Sequence, residues 1–351
     1  MKTAMLLSGG VDSAVALKRL CDAGHDVTAF YLKIWLEDDL AFLGDCPWNA
    51  DLGYVREICV QLNIPFEVVP LQREYFDRVV TAAIAELKAG RTPSPDIHCN
   101  ALVKFGAFYD TIDDSFGQVA TGHYARIDRH NGRSQLCCAP DPVKDQTYFL
   151  AKLRQDQLAR ACFPIGDLQK SQVRAIAESA NLPPKNRKDS QGICFLGKIS
   201  YRDFVRSYLG EKPGRIVHQA DGAILGRHRG LWFHTIGQRQ GLGLSGGPWY
   251  VARKDMDANT LFVTKQRAEK PELRYEFDIA DMHWINDPPD PGSGLTCKLR
   301  HGPERQVCEV RKSPDPGCLR VHLEIGERAI AAGQYAILYQ DDVCLGCGVM
   351  Q

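Results

Sequence analysis

Residues 8–13 read Ser8-Gly9-Gly10-Val11-Asp12-Ser13, and with their flanks they constrain the chain more than any other stretch. Before them, Thr3–Leu7 is a short apolar run with strand character. After them, Val15, Ala16, Leu20 and Ala23 recur at helical spacing. A strand that turns through two glycines straight into a helix makes an anion cradle. The glycines let the backbone approach a phosphate, Ser8 and Ser13 add hydroxyls, and the helix start supplies free amides and the positive end of its dipole. The string lacks the lysine of a Walker loop, so gripping the terminal phosphates for γ-transfer is not its expected task. Asp12 is suited instead to help hold Mg²⁺ against a pyrophosphate.

The alternation continues. Val27–Lys33, Pro65–Leu71 and Gln118–Thr121 read as strands, with amphipathic helices expected over Asp51–Leu62, Glu74–Lys88 and Val103–Ile112. Strand then helix, repeated, predicts an α/β doubly wound parallel sheet. A further helix is expected at Asp167–Ala180, opened by its aspartate. Beyond about Phe195, one helix near Ser200–Leu209 gives way to short apolar runs between glycine turns, and a second such region starts near Ala268. The expected organisation is a catalytic unit at 1–196, a small mainly-β unit at 197–267 and a β-barrel-like unit at 268–351. A length of 351 residues suits two or three cores.

Lys plus Arg (43) balances Asp plus Glu (43), so no global field draws the chain to a polyanion. Charge does segregate: Lys185 to Lys254 holds thirteen basic residues against four acidic ones, a local patch suited to a phosphodiester chain. Neutralising Arg202 and Arg206 is expected to flatten the salt dependence of such binding. No apolar run approaches the ~18 residues of a membrane helix, and Ala4–Leu7 is too short for a secretory h-region. Thirteen cysteines, an odd number, cannot all pair internally. A reducing, cytoplasmic setting and a monomer are expected.

Two cysteines sit in loops built for chemistry. Pro93-Ser94-Pro95-Asp96-Ile97-His98-Cys99-Asn100 is a proline-punctuated loop leading into a helix expected to begin near Asn100 or Ala101. A thiol at a helix N-terminus has a stabilised thiolate, and His98 beside it is expected to add to that effect. Cys194 follows a glycine turn in Asp189-Ser190-Gln191-Gly192-Ile193-Cys194-Phe195, behind basic Lys185, Arg187 and Lys188. The separation of Cys99 and Cys194 is no metal-finger spacing. Two such thiols suit a relay in which one carries a persulfide and the other attacks it or resolves the product.

The phosphate loop resembles that of the ATP pyrophosphatase superfamily, whose members cleave ATP between the α- and β-phosphates. The resemblance narrows when the loop is taken together with Gly90-Arg91-Thr92-Pro93, Pro95-Asp96, Cys99-Asn100, Ala120-Thr121-Gly122-His123-Tyr124, Lys144-Asp145-Gln146, Lys188-Asp189-Ser190, Gly192-Ile193-Cys194-Phe195 and His234-Thr235-Ile236-Gly237-Gln238-Arg239. In this order, running on to Val343-Cys344-Leu345-Gly346, they resemble the tRNA-specific 2-thiouridylase family over essentially the whole chain.

That resemblance implies an adenine-nucleotide α-hydrolase-like first domain that adenylates the 2-oxo group of a wobble uridine in tRNA. A cysteine persulfide then delivers sulfur, yielding 2-thiouridine, AMP and pyrophosphate. It implies ATP and Mg²⁺, no other fixed metal, and an upstream sulfur carrier or cysteine desulfurase. Residue by residue, Cys194 would bear the persulfide, Cys99 would be its nucleophilic partner and Asp96 the acid/base. Leu6, Leu7, Ser8, Gly9, Gly10, Val11, Asp12, Ser13, Leu32 and Gly122 would bind ATP. Ser94, Pro95 and Asp96 would lie against the target base, and His123, Lys144, Asp145, Gln146, Arg300, His301 and Gln334 along the tRNA. Departures from the family pattern are Ser94 in place of Asn, His98 in place of an apolar residue and Gln191 where Thr is common.

Three rival readings compete. A small-molecule ATP pyrophosphatase explains the phosphate loop but leaves both cysteines and the basic segment unused. An RNA-binding protein with a relic nucleotide domain predicts that Asp12, Cys99 and Cys194 are dispensable. An iron–sulfur cluster held by Cys99, Cys194 and Asp96 keeps the same product but is not the favoured arrangement. Cys344 and Cys347 form a lone C-x₂-C with no second pair, and Cys137-Cys138 reads as part of a hairpin without an assigned role.

Overall fold

The computed structural model describes residues 2–34, 48–189, 200–265, 273–290, 294–328 and 330–351. Strands β1 (Lys2–Leu6), β2 (Asp26–Lys33), β3 (Phe66–Pro70), β4 (Phe116–Ala120) and β7 (Ala161–Cys162) form a five-stranded parallel sheet in the order β3-β2-β1-β4-β7. The alternation in β1 shows why it is central. Ala4 and Leu6 face one buried cluster with Phe30 and Phe108, while Met5 and Leu7 face another with Val15, Leu17 and Ile58. Side chains of successive strand residues point to opposite faces, so a strand apolar on both must be covered on both. The doubly wound α/β expectation holds.

Two helical expectations shift. The helix expected from Val103 begins at Pro95: a short turn Pro95–His98 runs into a wider π-helical stretch, Cys99–Ala107, and then Phe108–Thr111. Proline suits a first helical position, because the amide it lacks would have no intrahelical partner there. The later helix spans Lys170–Ser179 with Gln169 as its N-cap; Asp167 is instead paired with Arg19.

The mainly-β texture beyond the first sheet divides into two sheets. Strands β8 (Gly214–His218), β9 (Ile224–His228), β10 (Tyr250–Asp255) and β11 (Thr260–Thr264) form a four-stranded sheet over Ile216, Leu231, Val251, Leu261 and Val263, with helix Tyr201–Leu209 before it. Strands β12 (Arg274–Trp284), β13 (Leu295–Lys298), β14 (Gln306–Lys312), β15 (Leu319–Glu327), β16 (Tyr335–Gln340) and β17 (Val343–Met350) join the other, closed on itself by β12 pairing with both β15 and β17. That barrel also recruits a hairpin from the first half of the chain, β5 (Ala125–His130) and β6 (Arg133–Cys138), because β6 pairs with β17. Cys137 and Cys138 are thus hairpin residues, joining the first half of the chain to the barrel.

Asp145 and Lys298 pin this junction. Their side chains are each 2% exposed and 2.8 Å apart, and Asp145 also accepts from the Thr147 hydroxyl and the Ala139 amide. A buried carboxylate stripped of its cation is strongly destabilising, so Lys298→Met should cost about 3–5 kcal/mol. Urea unfolding checks this, and an Asp145→Leu/Lys298→Met double variant should recover part of the loss.

Candidate active site

Strand order places the site. From β1 the chain winds one way to β2 and β3 and the other way to β4, so the crevice beyond the C-terminal ends of β1 and β4 is the switch point where such sheets bind ligands. Ser8–Ser13 leaves β1 there, Thr121–His123 leaves β4 there, and Leu32 lies near the end of adjacent β2. The two loops touch. A Cβ added to Gly122 would lie 2.7 Å from the Ser13 amide nitrogen, and one added to Gly9, whose φ is +75°, would lie 2.7 Å from the Asp51 carbonyl oxygen. Ser13 Oγ donates to the Gly10 carbonyl (3.0 Å) and accepts from the Ser8 amide (3.3 Å). No side chain caps helix Val11–Asp22, which leaves its first amides for an anion. The cradle fits a pyrophosphate.

A lysine does serve this loop, from a place the sequence did not advertise. Lys170 Nζ donates to both Asp12 oxygens, at 2.7 and 2.9 Å, and lies 2.8 Å from Asp189. Tyr124 Oη donates to Asp12 as well, at 2.7 Å. Asp189 in turn accepts from Lys144 and Arg174, each at 2.6 Å. Burial alone would raise the Asp189 pKa, but hydrogen bonds from Lys144 and Lys170 outweigh it and hold the group well below the usual carboxylate range. On the other flank, Arg187 donates to the Gly9 carbonyl at 3.1 Å and pairs with Asp51. Arg187, counted above in the basic segment, is therefore committed to the phosphate loop. Sequence reasoning missed Lys170, Arg174 and Asp51 because only the folded sheet brings them to Asp12 or Gly9; no local spacing marks them.

The loop with Cys99 departs from expectation in one respect. The helix starts at Pro95, so Asp96 lies in its first turn and buried Cys99 one turn further in, beyond the first amides. His98 is not cationic: burial and the neighbouring Lys152 push its pKa down to about 4, so it is neutral at physiological pH and adds no charge beside the thiol. Its Nε2 is 2.8 Å from Tyr335 Oη on the barrel. Ser94 caps that helix by position without a side-chain hydrogen bond. Cys194, proposed as the persulfide carrier, lies outside the described residues.

The residues assigned to tRNA fall into three places. Lys144, Asp145 and Gln146 lead back to the phosphate loop: Lys144 holds Asp189, while Gln146 accepts the Tyr124 amide at 3.0 Å and donates its own to the Tyr124 carbonyl at 2.9 Å. Asp145 is turned inward to Lys298. His301 joins this group, stacked on Phe149 with ring centroids 4.7 Å apart and its Nε2 3.2 Å from the Asp145 carbonyl, with Arg300 exposed beside it. His123 stands apart against Thr121 and Phe163, its pKa well below the usual value through burial and the nearby Lys104. Gln334 sits half-buried at the barrel rim.

Three family models match the chain. The tRNA methyl transferase HUP domain covers residues 1–198, the tRNA methyl transferase PRC-barrel domain 202–265, and the aminomethyltransferase beta-barrel domain 274–350. Among solved structures, NMN synthetase from Francisella tularensis aligns with 60% of this chain and 77% of its own at 17% identity and a TM-score of 0.35, too low a likeness to bear on the fold. Curated relatives match far more fully. A protein from Porphyromonas gingivalis (strain ATCC 33277) is 45% identical over 367 residues, and one from Parabacteroides distasonis 44% over 358; each alignment spans 100% of this chain and 99% of the relative. One from Bacteroides thetaiotaomicron is 44% identical over 354 residues, 99% of both chains. The first two are named tRNA-specific 2-thiouridylase MnmA and the third MnmA 1. Full-length identity at this level, on a chain whose phosphate loop lies at the switch point of its sheet, leaves one assignment: the chain belongs to the tRNA-specific 2-thiouridylase MnmA family.

Proposed function

We propose that this protein is an ATP-dependent tRNA-uridine 2-sulfurtransferase. The observation that carries the reading is the phosphate cradle, which joins Ser8–Ser13 to Gly122 and is served by Asp12 and Lys170. A uridine carbonyl is a poor electrophile with a poor leaving oxygen. Its O2 attacks the α-phosphorus of ATP, pyrophosphate departs, and the oxygen becomes part of an AMP leaving group. Mg²⁺ would be held by Asp12 against the pyrophosphate. The terminal sulfur of a Cys194 persulfide then bonds to C2 as AMP leaves. Cys99 attacks the Cys194 sulfur, breaks the S–S bond and frees 2-thiouridine, leaving a Cys99–Cys194 disulfide for an external thiol to reduce. Asp96 would move the uridine proton. The anticodon loop suits such chemistry because its bases are already single stranded.

The division at 196 and 267, a cytoplasmic setting, a monomeric state and a sulfur carrier or desulfurase upstream belong to the same proposal. No described helix is long and apolar enough to cross a membrane. Incubating the protein with tRNA, ATP, Mg²⁺ and a sulfur source, then digesting the RNA to nucleosides, tests the reading. We expect 2-thiouridine with one AMP and one pyrophosphate for each; ADP and phosphate in that stoichiometry would overturn the loop assignment.

Binding of the tRNA body is expected to depend steeply on salt despite zero net charge. Arg206 is a poor probe of this, since it pairs with Asp203 at 2.8 Å. Arg215 and Arg227 are better: both are exposed, they stand directly opposite each other on β8 and β9, and neither has an ion-pair partner among the described residues. Like charges so placed are unfavourable without an anion to share. Arg215→Gln/Arg227→Gln should reduce the slope of log K against log salt by about 1–2, measured by titrating labelled tRNA at several salt concentrations.

A further inference from the structure

A cavity of about 410 Å³ lies between the Cys99 helix and the barrel, lined among others by Glu86, Pro95, His98, Lys152, Asp281 and Tyr335. Taking the chain to act on tRNA, as proposed above, we propose that this cavity is a second nucleotide pocket, receiving a base and phosphate next to the target uridine. Its volume lies within the ~300–1,000 Å³ usual for ligand sites. Pro95 and His98 line it, whereas Asp96 and Cys99 do not. Residues three apart share a helix face and adjacent residues do not, so this one turn presents one face to the cavity and another to the thiol chemistry. Ser94 and Pro95, expected against the target base, also line the cavity, so it adjoins the target-base site along that edge and extends away from it toward Lys152 and Tyr335.

Its chemistry is that of a nucleotide site. Lys152 Nζ donates to Tyr335 Oη at 2.9 Å and lies 5.1 Å from the centre of that ring, with no carboxylate partner among the described residues. An ammonium positioned this way and left without a counter-charge suits a phosphate. Arg91 and Glu86 neutralise each other through two hydrogen bonds of 2.6 Å, so the local positive charge is that of Lys152. The half-buried His98 ring, held against Tyr335, and the Pro93 and Pro95 rings supply flat apolar surface; Asp281 and Gln351 are exposed at the other wall, able to meet a base edge. The walls are fixed relative to each other: the Thr92 amide donates to the Ala332 carbonyl at 2.8 Å. A strand running from Asp96 to Gln334 would cross this mouth, since Pro95 lies on one side of it and Gly333 and Tyr335, flanking Gln334, on the other.

The test is a cycle of RNA and protein changes. Anticodon stem-loops carrying an abasic site at one position at a time around the target uridine are thiolated by the wild-type, His98→Leu and Lys152→Gln enzymes. One abasic position other than the target should raise KM about tenfold for the wild type, the scale of a lost base–ring contact. The same lesion should change KM less than twofold in His98→Leu, which has lost the ring, whereas Lys152→Gln removes only the phosphate contact and should keep the wild-type abasic profile. A variant damaged only in folding would weaken all RNAs alike and show no such coupling. An abasic profile in His98→Leu the same as the wild type's, or no sensitive neighbouring position in the wild type, would overturn the pocket while 2-thiouridine formation stands. A wild-type enzyme that thiolates none of the RNAs overturns the functional reading, and the pocket with it.

Discussion

Cys99→Ser should lower 2-thiouridine formation by about 10³-fold or more while ATP and tRNA still bind, a loss typical of a removed nucleophile. The side chain is buried in a packed cluster with Ile97 and Val103, where exchanging one atom disturbs little. A serine hydroxyl, however, neither ionises near neutral pH nor attacks sulfur readily. Cys194→Ser should be as inactive for a different reason, and labelled sulfur separates the two. Cys99→Ser still loads persulfide at Cys194, whereas Cys194→Ser loads none there. Wild-type protein taken after turnover without reductant should contain a Cys99–Cys194 bridge, which requires their Cα atoms to come within ~7 Å. If peptide mapping finds no bridge, Cys194→Ser still makes 2-thiouridine, and anaerobic protein carries iron with visible absorption, the cluster arrangement replaces the relay.

The architecture was legible where residues announce their partners locally. The apolar run at Thr3–Leu7 and the helical spacing after Ser13 mark a strand, a turn and a helix in succession, and the same rhythm repeats to Ala120. The phosphate loop could be read because its glycines, hydroxyls and helix start are contiguous. What could not be read is what folding assembles from afar. Lys170 meets Asp12 only because the helix beginning at Lys170 packs beside Val11–Asp22, and the β5–β6 hairpin joins a barrel whose other strands begin at Arg274. The charge count of the basic segment includes one residue engaged elsewhere for the same reason: Arg187 is taken up by Asp51 and the Gly9 carbonyl. The help expected from His98 to the neighbouring thiol finds no charge behind it, because sequence shows Cys99 beside it but not its burial nor Lys152.

Lys170→Met should slow adenylation by about 10²–10³-fold, the usual loss when one preorganised donor to developing charge is removed. Lys170 is only 14% exposed and is held by two carboxylates, Asp12 and Asp189. Were Mg²⁺ bound with ATP in the cradle, Asp12 would hold it in place of the ammonium. Lys170 would then be free to meet the pyrophosphate, whose charge rises as the bond to the α-phosphorus breaks. In that role Lys170 would stand in for the Walker lysine, delivered from the start of another helix. The effect should fall mainly on kcat, because the interaction strengthens as pyrophosphate leaves; a change confined to KM would mean that Lys170 only binds the nucleotide. Lys170→Arg should restore part of the rate, because it returns a cation to the position beside Asp12 and Asp189. Pyrophosphate release in a single turnover with saturating tRNA measures the step directly. If Lys170→Met releases pyrophosphate at the wild-type rate, the lysine is a structural clasp and the charge of the leaving group is met by backbone amides alone.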